Sequence, residues 1–150
     1  MTTDPNDGIA VKDLQQLVDR YLALWNEPDP EIRRRVIREL WAPDVAQVLV
    51  DPPEEVRDAA DRLAFSMPTL EVHGYDALEA RVTRAHEMFI APGEYVFELG
   101  ASPSRLLDNV VSLNWTLASR ADGKKAGGGV NVLALGGDGR IRIDYQFVET

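Results

Sequence analysis

The chain has 150 residues, 45% of them hydrophobic and 27% charged, which suits one globular domain and is too apolar for disorder. Its 25 acidic and 16 basic residues leave a formal net charge of −9, so phosphate-rich partners are repelled, which argues against nucleic acid and anionic membrane surfaces. Cysteine is absent, which excludes disulfide scaffolds, thiolate metal sites and cysteine nucleophiles and fits a cytoplasmic setting.

Residues 1–8 are polar, with neither a basic stretch nor an apolar run, so they read as a flexible N-terminus and not as a signal peptide. Residues 9–150 read as a single domain. No apolar run approaches the ~20 residues that a membrane span needs. Leu14, Leu17, Val18, Tyr21, Leu24 and Trp25 recur at helical steps, predicting an amphipathic helix with Tyr21 on its buried stripe. Asp29 and Pro30 predict the cap and first turn of a second helix reaching about Trp41. Ala42-Pro43-Asp44 reads as a turn, and residues 47–51 as a short strand that Pro52 ends, holding Asp51 extended.

Residues 54–67 and 75–90 carry two further helical stripes, separated by Gly74. From Pro92-Gly93 onward the texture changes to strands, over residues 95–99, 106–119, 128–135 and 140–148, with Asp122-Gly123 and Asp138-Gly139 as hairpin signals. Helices followed by a meander of strands make an α+β order. We expect a cone-shaped, curved antiparallel sheet wrapped around the N-terminal helices, with an apolar pocket inside.

Strand alternation nominates the lining of that pocket. Asn109, Val111, Leu113 and Trp115 share one face of their strand. In the last strand Ile141, Ile143, Tyr145 and Phe147 are expected to face in, and Arg142, Asp144 and Gln146 out. Val130, Val132 and Ala134 would then form an outward apolar strip, which predicts a homodimer through the open sheet face. Asn131 is a lone amide in an apolar strand, and it needs either buried partners or a ligand. His86 lies beside an apolar helix stripe, either solvated or able to serve in acid–base chemistry. The two histidines lack metal-ligand spacing, and neither a dinucleotide fingerprint nor a phosphate loop occurs, so no metal and no cofactor is expected.

Several segments together resemble the nuclear transport factor 2-like superfamily. They are Asp19-Arg20-Tyr21-Leu22 with Trp25-Asn26, then Trp41-Ala42-Pro43-Asp44, Asp51-Pro52 and Gly74-Tyr75-Asp76-Ala77-Leu78. Pro92-Gly93-Glu94-Tyr95-Val96-Phe97, Asn114-Trp115, Gly129-Val130-Asn131-Val132, Asp138-Gly139-Arg140-Ile141 and Phe147 complete the set. Within that superfamily the chain looks most like the SnoaL-like polyketide cyclases and, at three positions, like ketosteroid isomerase. The resemblance implies Tyr21 as a hydrogen-bond donor to a substrate carbonyl, Asp51 before Pro52 as the general base, and Asn131 as the second oxyanion donor. The isomerase pattern has a protonated aspartate at that last position; an amide donates at any pH.

The expected function is cofactor-independent proton abstraction next to the carbonyl of a small hydrophobic substrate, leading to cyclisation or isomerisation. A non-catalytic binding module and an epoxide-opening enzyme in the same pocket are the alternatives. Without the resemblance, Tyr21 reads equally as a core residue with its hydroxyl at a rim, and Asp51 as a turn residue.

Overall fold

The computed structural model describes residues 11–50 and 69–148. The N-terminus over residues 1–8, the expected base Asp51 and the helix expected over residues 54–67 lie outside the described residues. Helix α1 (Val11–Asn26) buries Leu14, Leu17, Val18, Tyr21, Leu24 and Trp25, the stripe that its sequence spacing predicts. Helix α2 (Pro30–Leu40) starts where the Asp29 side chain accepts a hydrogen bond from the Glu31 backbone N–H at 2.9 Å, with Pro30 in the first turn.

Trp41 is extended, with φ −109° and ψ 147°, and it opens strand β1 (Trp41–Val50) instead of closing the helix. The expected turn at Ala42-Pro43-Asp44 is a strand irregularity, because the pairing with the last strand skips from Trp41 to Ala46. Pro43 has no N–H to donate and is tolerated where the ladder is interrupted.

Strand β2 (Thr69–His73) pairs antiparallel with β1. Helix α3 (Gly74–Ala85) follows, entered through Gly74 at φ +82°, a backbone angle that favours glycine. The helix expected to run unbroken to residue 90 changes character at His86. Residues His86–Ile90 form one π-helical turn, closed by the Ala91 N–H to the His86 carbonyl at 2.9 Å.

Strand β3 (Tyr95–Leu99) precedes a hairpin where one long strand was expected. Strand β4 (Ser104–Leu107) and strand β5 (Val110–Ser119) are joined through a turn at Asp108-Asn109. Strands β6 (Lys125–Leu135) and β7 (Ile141–Val148) complete the sheet. Its order is β2-β1-β7-β6-β5-β3, with β4 beside β5, and the pairs are antiparallel except β1 with β7. The sheet is curved and unclosed, and with the helices it makes the expected α+β cone. Among the described residues no helix is long and apolar enough to cross a membrane.

Alternation in β5 and β6 runs as expected: Val111, Leu113, Asn131 and Leu133 are buried, while Val130, Val132 and Ala134 are half-buried on the other face. In β7 the expectation is overturned. Leu135 pairs with Ile141 but Ala134 pairs with Ile143, so β7 holds one extra residue there. Such a bulge flips every side chain beyond it to the opposite face. Asp144 and Gln146 are therefore buried, and Tyr145 and Phe147 lie on the outer face, 37% and 44% exposed.

Candidate active site

A cavity of about 270 Å³ opens between α1, α3 with its π-helical extension, and the concave face of the sheet. Its wall is mostly apolar, with Trp25, Leu49, Phe89, Phe97, Trp115 and Leu117 prominent. Trp25, Phe97, Trp115 and Phe89 meet edge to face, with ring centroids 5.7–6.4 Å apart. Among the described residues the polar side chains in the wall are Tyr21, Arg81 and Gln146. The close approach of Trp115 to β6 requires Gly129, where an added Cβ would fall 2.7 Å from the indole and 2.4 Å from the Phe147 carbonyl oxygen.

Behind Tyr21 lies a fully buried polar cluster. The Tyr21 hydroxyl donates to Asp144 Oδ2 at 2.7 Å. Asn131 Nδ2 donates to the Tyr21 oxygen at 2.8 Å and to Asp144 Oδ1 at 2.6 Å. Gln47 Nε2 donates to Asp144 Oδ2 at 3.2 Å, and Trp115 Nε1 donates to Asn131 Oδ1 at 2.8 Å. Three donors on one carboxyl suit the ionised form. Burial nevertheless pushes Asp144 up to about 6, against those three hydrogen bonds and the charge of Arg81. Burial also pushes the Tyr21 hydroxyl well above its ordinary value, and the neighbouring Asp144 carboxylate adds to that shift.

Two of the three catalytic residues expected from sequence thus meet: Tyr21 and Asn131 are in direct contact, and Tyr21 faces the cavity. The third, Asp51, is outside the described residues. The hydrogen-bond directions differ from an oxyanion site. The single hydroxyl proton of Tyr21 points at Asp144, and both Asn131 amide hydrogens are used within the cluster. In this arrangement neither is free to donate to a substrate oxygen.

Of the expected lining residues, Trp115 is in the wall. Val111 and Leu113 lie deeper, in the core. Asn109 is exposed in the β4–β5 turn, where its side chain caps the Leu135 carbonyl at 3.1 Å. Phe147 is on the outer face because of the bulge. His86 is not in the wall; its Nε2 is buried without a partner, and burial lowers its pKa.

Four site residues were not foreseen: Asp144, Gln146, Arg81 and Gln47, which donates to Asp144 from β1. Asp144 and Gln146 were assigned outward by unbroken alternation. Arg81 adjoins the α3 stripe of Leu78, Val82 and Ala85, and a cation three residues after one stripe member and four before another was the available signal. Among the described residues no group of three or more carboxylate or imidazole side chains is placed to hold a metal ion.

No protein-family model matches the chain. No curated protein sequence matches it either. Solved structures do. One is a provisionally assigned isomerase of the SnoaL-like family from Agrobacterium tumefaciens, 26% identical, with a TM-score of 0.69 over 91% of this chain and 97% of that one. A SnoaL-like protein of unknown function from Burkholderia thailandensis is 17% identical, with a TM-score of 0.63 and both chains fully covered. A provisionally assigned SnoaL-like polyketide cyclase from Jannaschia is 16% identical, with a TM-score of 0.60 over 99% of this chain and 91% of that one. This chain has the nuclear transport factor 2-like fold, and its structural neighbours include SnoaL-like and nuclear transport factor 2-like proteins.

Proposed function

We propose that the protein is a cofactor-independent acid–base enzyme of the polyketide cyclase or ketosteroid isomerase type, acting next to a carbonyl of a small, mainly apolar substrate. The observation that carries this reading is the Tyr21 hydroxyl, set in the wall of an apolar cavity and backed at 2.7 Å by a buried carboxyl whose pKa is raised to about 6. A carboxyl tuned toward neutrality one hydrogen bond behind a cavity wall suits general acid–base work.

Asp144 is shielded from the cavity, so it acts through Tyr21. The proton leaving the substrate carbon passes to the Tyr21 oxygen as the Tyr21 hydroxyl proton passes to Asp144 Oδ2. The electron pair left on the substrate becomes an enolate, and Tyr21 stays neutral throughout, as its raised pKa favours. Returning the proton to another carbon completes an isomerisation; attack of the enolate carbon on a second carbonyl closes a ring, and the alkoxide so formed takes the proton back through Tyr21 from Asp144. Asp51, the base implied by the sequence resemblance, is the competing assignment. Enone and 1,3-dicarbonyl compounds turned over by the wild type separate the two. Asp144→Asn should lower kcat by about 10²–10⁴ with little change in binding. Turnover that survives Asp144→Asn and vanishes in Asp51→Asn would give the step to Asp51. Binding without turnover in the wild type would leave a binding module.

The partner proposed for the outer sheet face is a second copy of this chain. Ala46 and Val48 of β1, Ile143, Tyr145 and Phe147 of β7, and Val130, Val132 and Ala134 of β6 lie side by side across three strands. An apolar patch of that extent favours self-association about a two-fold axis.

A further inference from the structure

Arg81 has no role in the proton relay, yet among the described residues it is the one cationic side chain in the cavity wall. A guanidinium carries five N–H donors. Here Nη2 makes one hydrogen bond, to Gln146 Oε1 at 3.2 Å, and the group lies 5.6 Å from the centre of the Trp25 ring. It makes no hydrogen bond to Asp144, whose oxygens are held by Tyr21, Asn131 and Gln47. Burial holds Arg81 below its ordinary pKa, against the charges of Tyr21 and Asp144. Because Gln146 spends its carbonyl on Arg81, its amide hydrogens remain available beside the guanidinium. Arg81 and Gln146 thus place neighbouring N–H donors in a mainly apolar wall, suited to an oxygen anion spread over two atoms.

We propose that Arg81 and Gln146 form an anion receptor inside the cavity, and that its ligand is a mainly apolar molecule bearing one delocalised oxyanion, either a standing carboxylate or an enolate formed in place. The proposal rests on reading the cavity as the ligand site, but not on the Tyr21–Asp144 relay. Size narrows the class further. A protein cavity of about 150 Å³ holds benzene, so 270 Å³ suits two fused rings or a chain of similar bulk.

The test is calorimetric binding of 2-naphthoate and of its neutral counterpart 2-acetylnaphthalene, with 1-phenylbutane-1,3-dione as the enolisable probe followed by its enolate absorbance. Naphthoate is expected to bind about tenfold or more tighter than the ketone. Arg81→Met should erase that preference while ketone binding persists, and Arg81→Lys should retain part of it. The dione should ionise at lower pH when bound to the wild type than when free, with the shift lost in Arg81→Met. A carboxylate preference without a dione shift assigns a standing carboxylate; a dione shift without a carboxylate preference assigns an enolate. Should Arg81→Met fail to fold, the naphthoate-to-ketone ratio in the wild type and in Arg81→Lys decides. Naphthoate binding no tighter than the ketone with no dione shift, or equal weakening of all three probes in Arg81→Met, would overturn the proposal. Asp144→Asn separates this from the relay: it should stop turnover yet keep the carboxylate preference.

Discussion

The two faces of the central sheet are built from the same strands and alternate residues, yet their chemistry is opposite. The concave face holds Gln47, Asp144, Gln146 and Asn131 in a buried polar row, surrounded by Leu49, Leu133, Val111 and Leu113. The convex face shows Ala46, Val48, Tyr145, Phe147, Val130 and Val132, with the two aromatic rings among the largest exposed apolar groups. Ordinary sheets put apolar residues inside and polar ones outside. Here polar groups have been taken into the interior, where each must be paired, and apolar groups left outside, where each must be covered. The first arrangement suits a site and the second suits an interface.

Four measurements probe that contrast. The largest effect is expected at the inner face, where Gly129 lets Trp115 lie against β6. Gly129→Ala would place a Cβ 2.4 Å from a backbone oxygen and 2.7 Å from the indole, so the strand or the ring must move. We expect a loss of about 3 kcal/mol or more in urea unfolding. Gly137→Ala, in open space, should change little. Equal effects at the two positions would mean that the Trp115 contact does not constrain the sheet.

The next effect comes from Asp144. Its folded pKa of about 6 stands above its ordinary 3.8, so the folded chain binds the extra proton between those values. Stability therefore falls as pH climbs through that window, by about 3 kcal/mol for this group. Comparing unfolding at pH 4 and pH 7 in the wild type and in Asp144→Asn isolates the contribution, which the variant should lack. The same titration sets activity under the proposed relay, where the carboxylate must be free to accept a proton. Turnover should then drop as pH falls through about 6, opposite in sign to the stability change. A stability that does not differ between wild type and variant across this range would refute a raised Asp144. Smaller again is Trp115→Phe, which keeps a ring over Gly129 but leaves Asn131 Oδ1 without its donor. That should cost about 1–2 kcal/mol, and an unchanged unfolding midpoint would show that Asn131 finds another donor.

Much of the contrast is legible in the sequence, and most of the misses trace to one bulge in β7. Tyr21 stood out because a helical stripe placed it inward, and Asn131 because an amide interrupts Val-Asn-Val-Leu-Ala-Leu. The alternation of β5 and β6 could be read directly. Alternation in β7 could not, since Ile-Arg-Ile-Asp-Tyr-Gln-Phe reads as apolar-in from end to end, and nothing local marks the extra residue after Ile141. The bulge becomes visible only in the pairing with β6, a non-local fact, and it moved Asp144 and Gln146 inward and Phe147 outward together. Asn109 was misplaced for a related reason: an Asp-Asn turn lay inside an apolar run that looked continuous. Arg81 was missed because a charge beside a helix stripe ordinarily points to water.

The smallest expected effect on the folding of a single chain belongs to the outer face, and it is also the most diagnostic there. Phe147 is 44% exposed and sits opposite Val130, so Phe147→Lys removes few contacts within the chain and should change its intrinsic stability by no more than about 0.5 kcal/mol. A pair of copies packed through this face would instead have to bury two new ammonium groups against apolar neighbours, and should separate. Light scattering at micromolar concentration should then give a dimer for the wild type and a monomer for the variant. The wild-type unfolding midpoint should rise with protein concentration, because association stabilises the folded form by mass action, whereas that of Phe147→Lys should not. A wild type that is already monomeric would reject self-association and leave Tyr145 and Phe147 exposed to some other partner. A variant that remains dimeric would move the interface off the β7 strip. Neither result would touch the cavity, since the bulge puts Phe147 on one side of the sheet and Asp144 on the other.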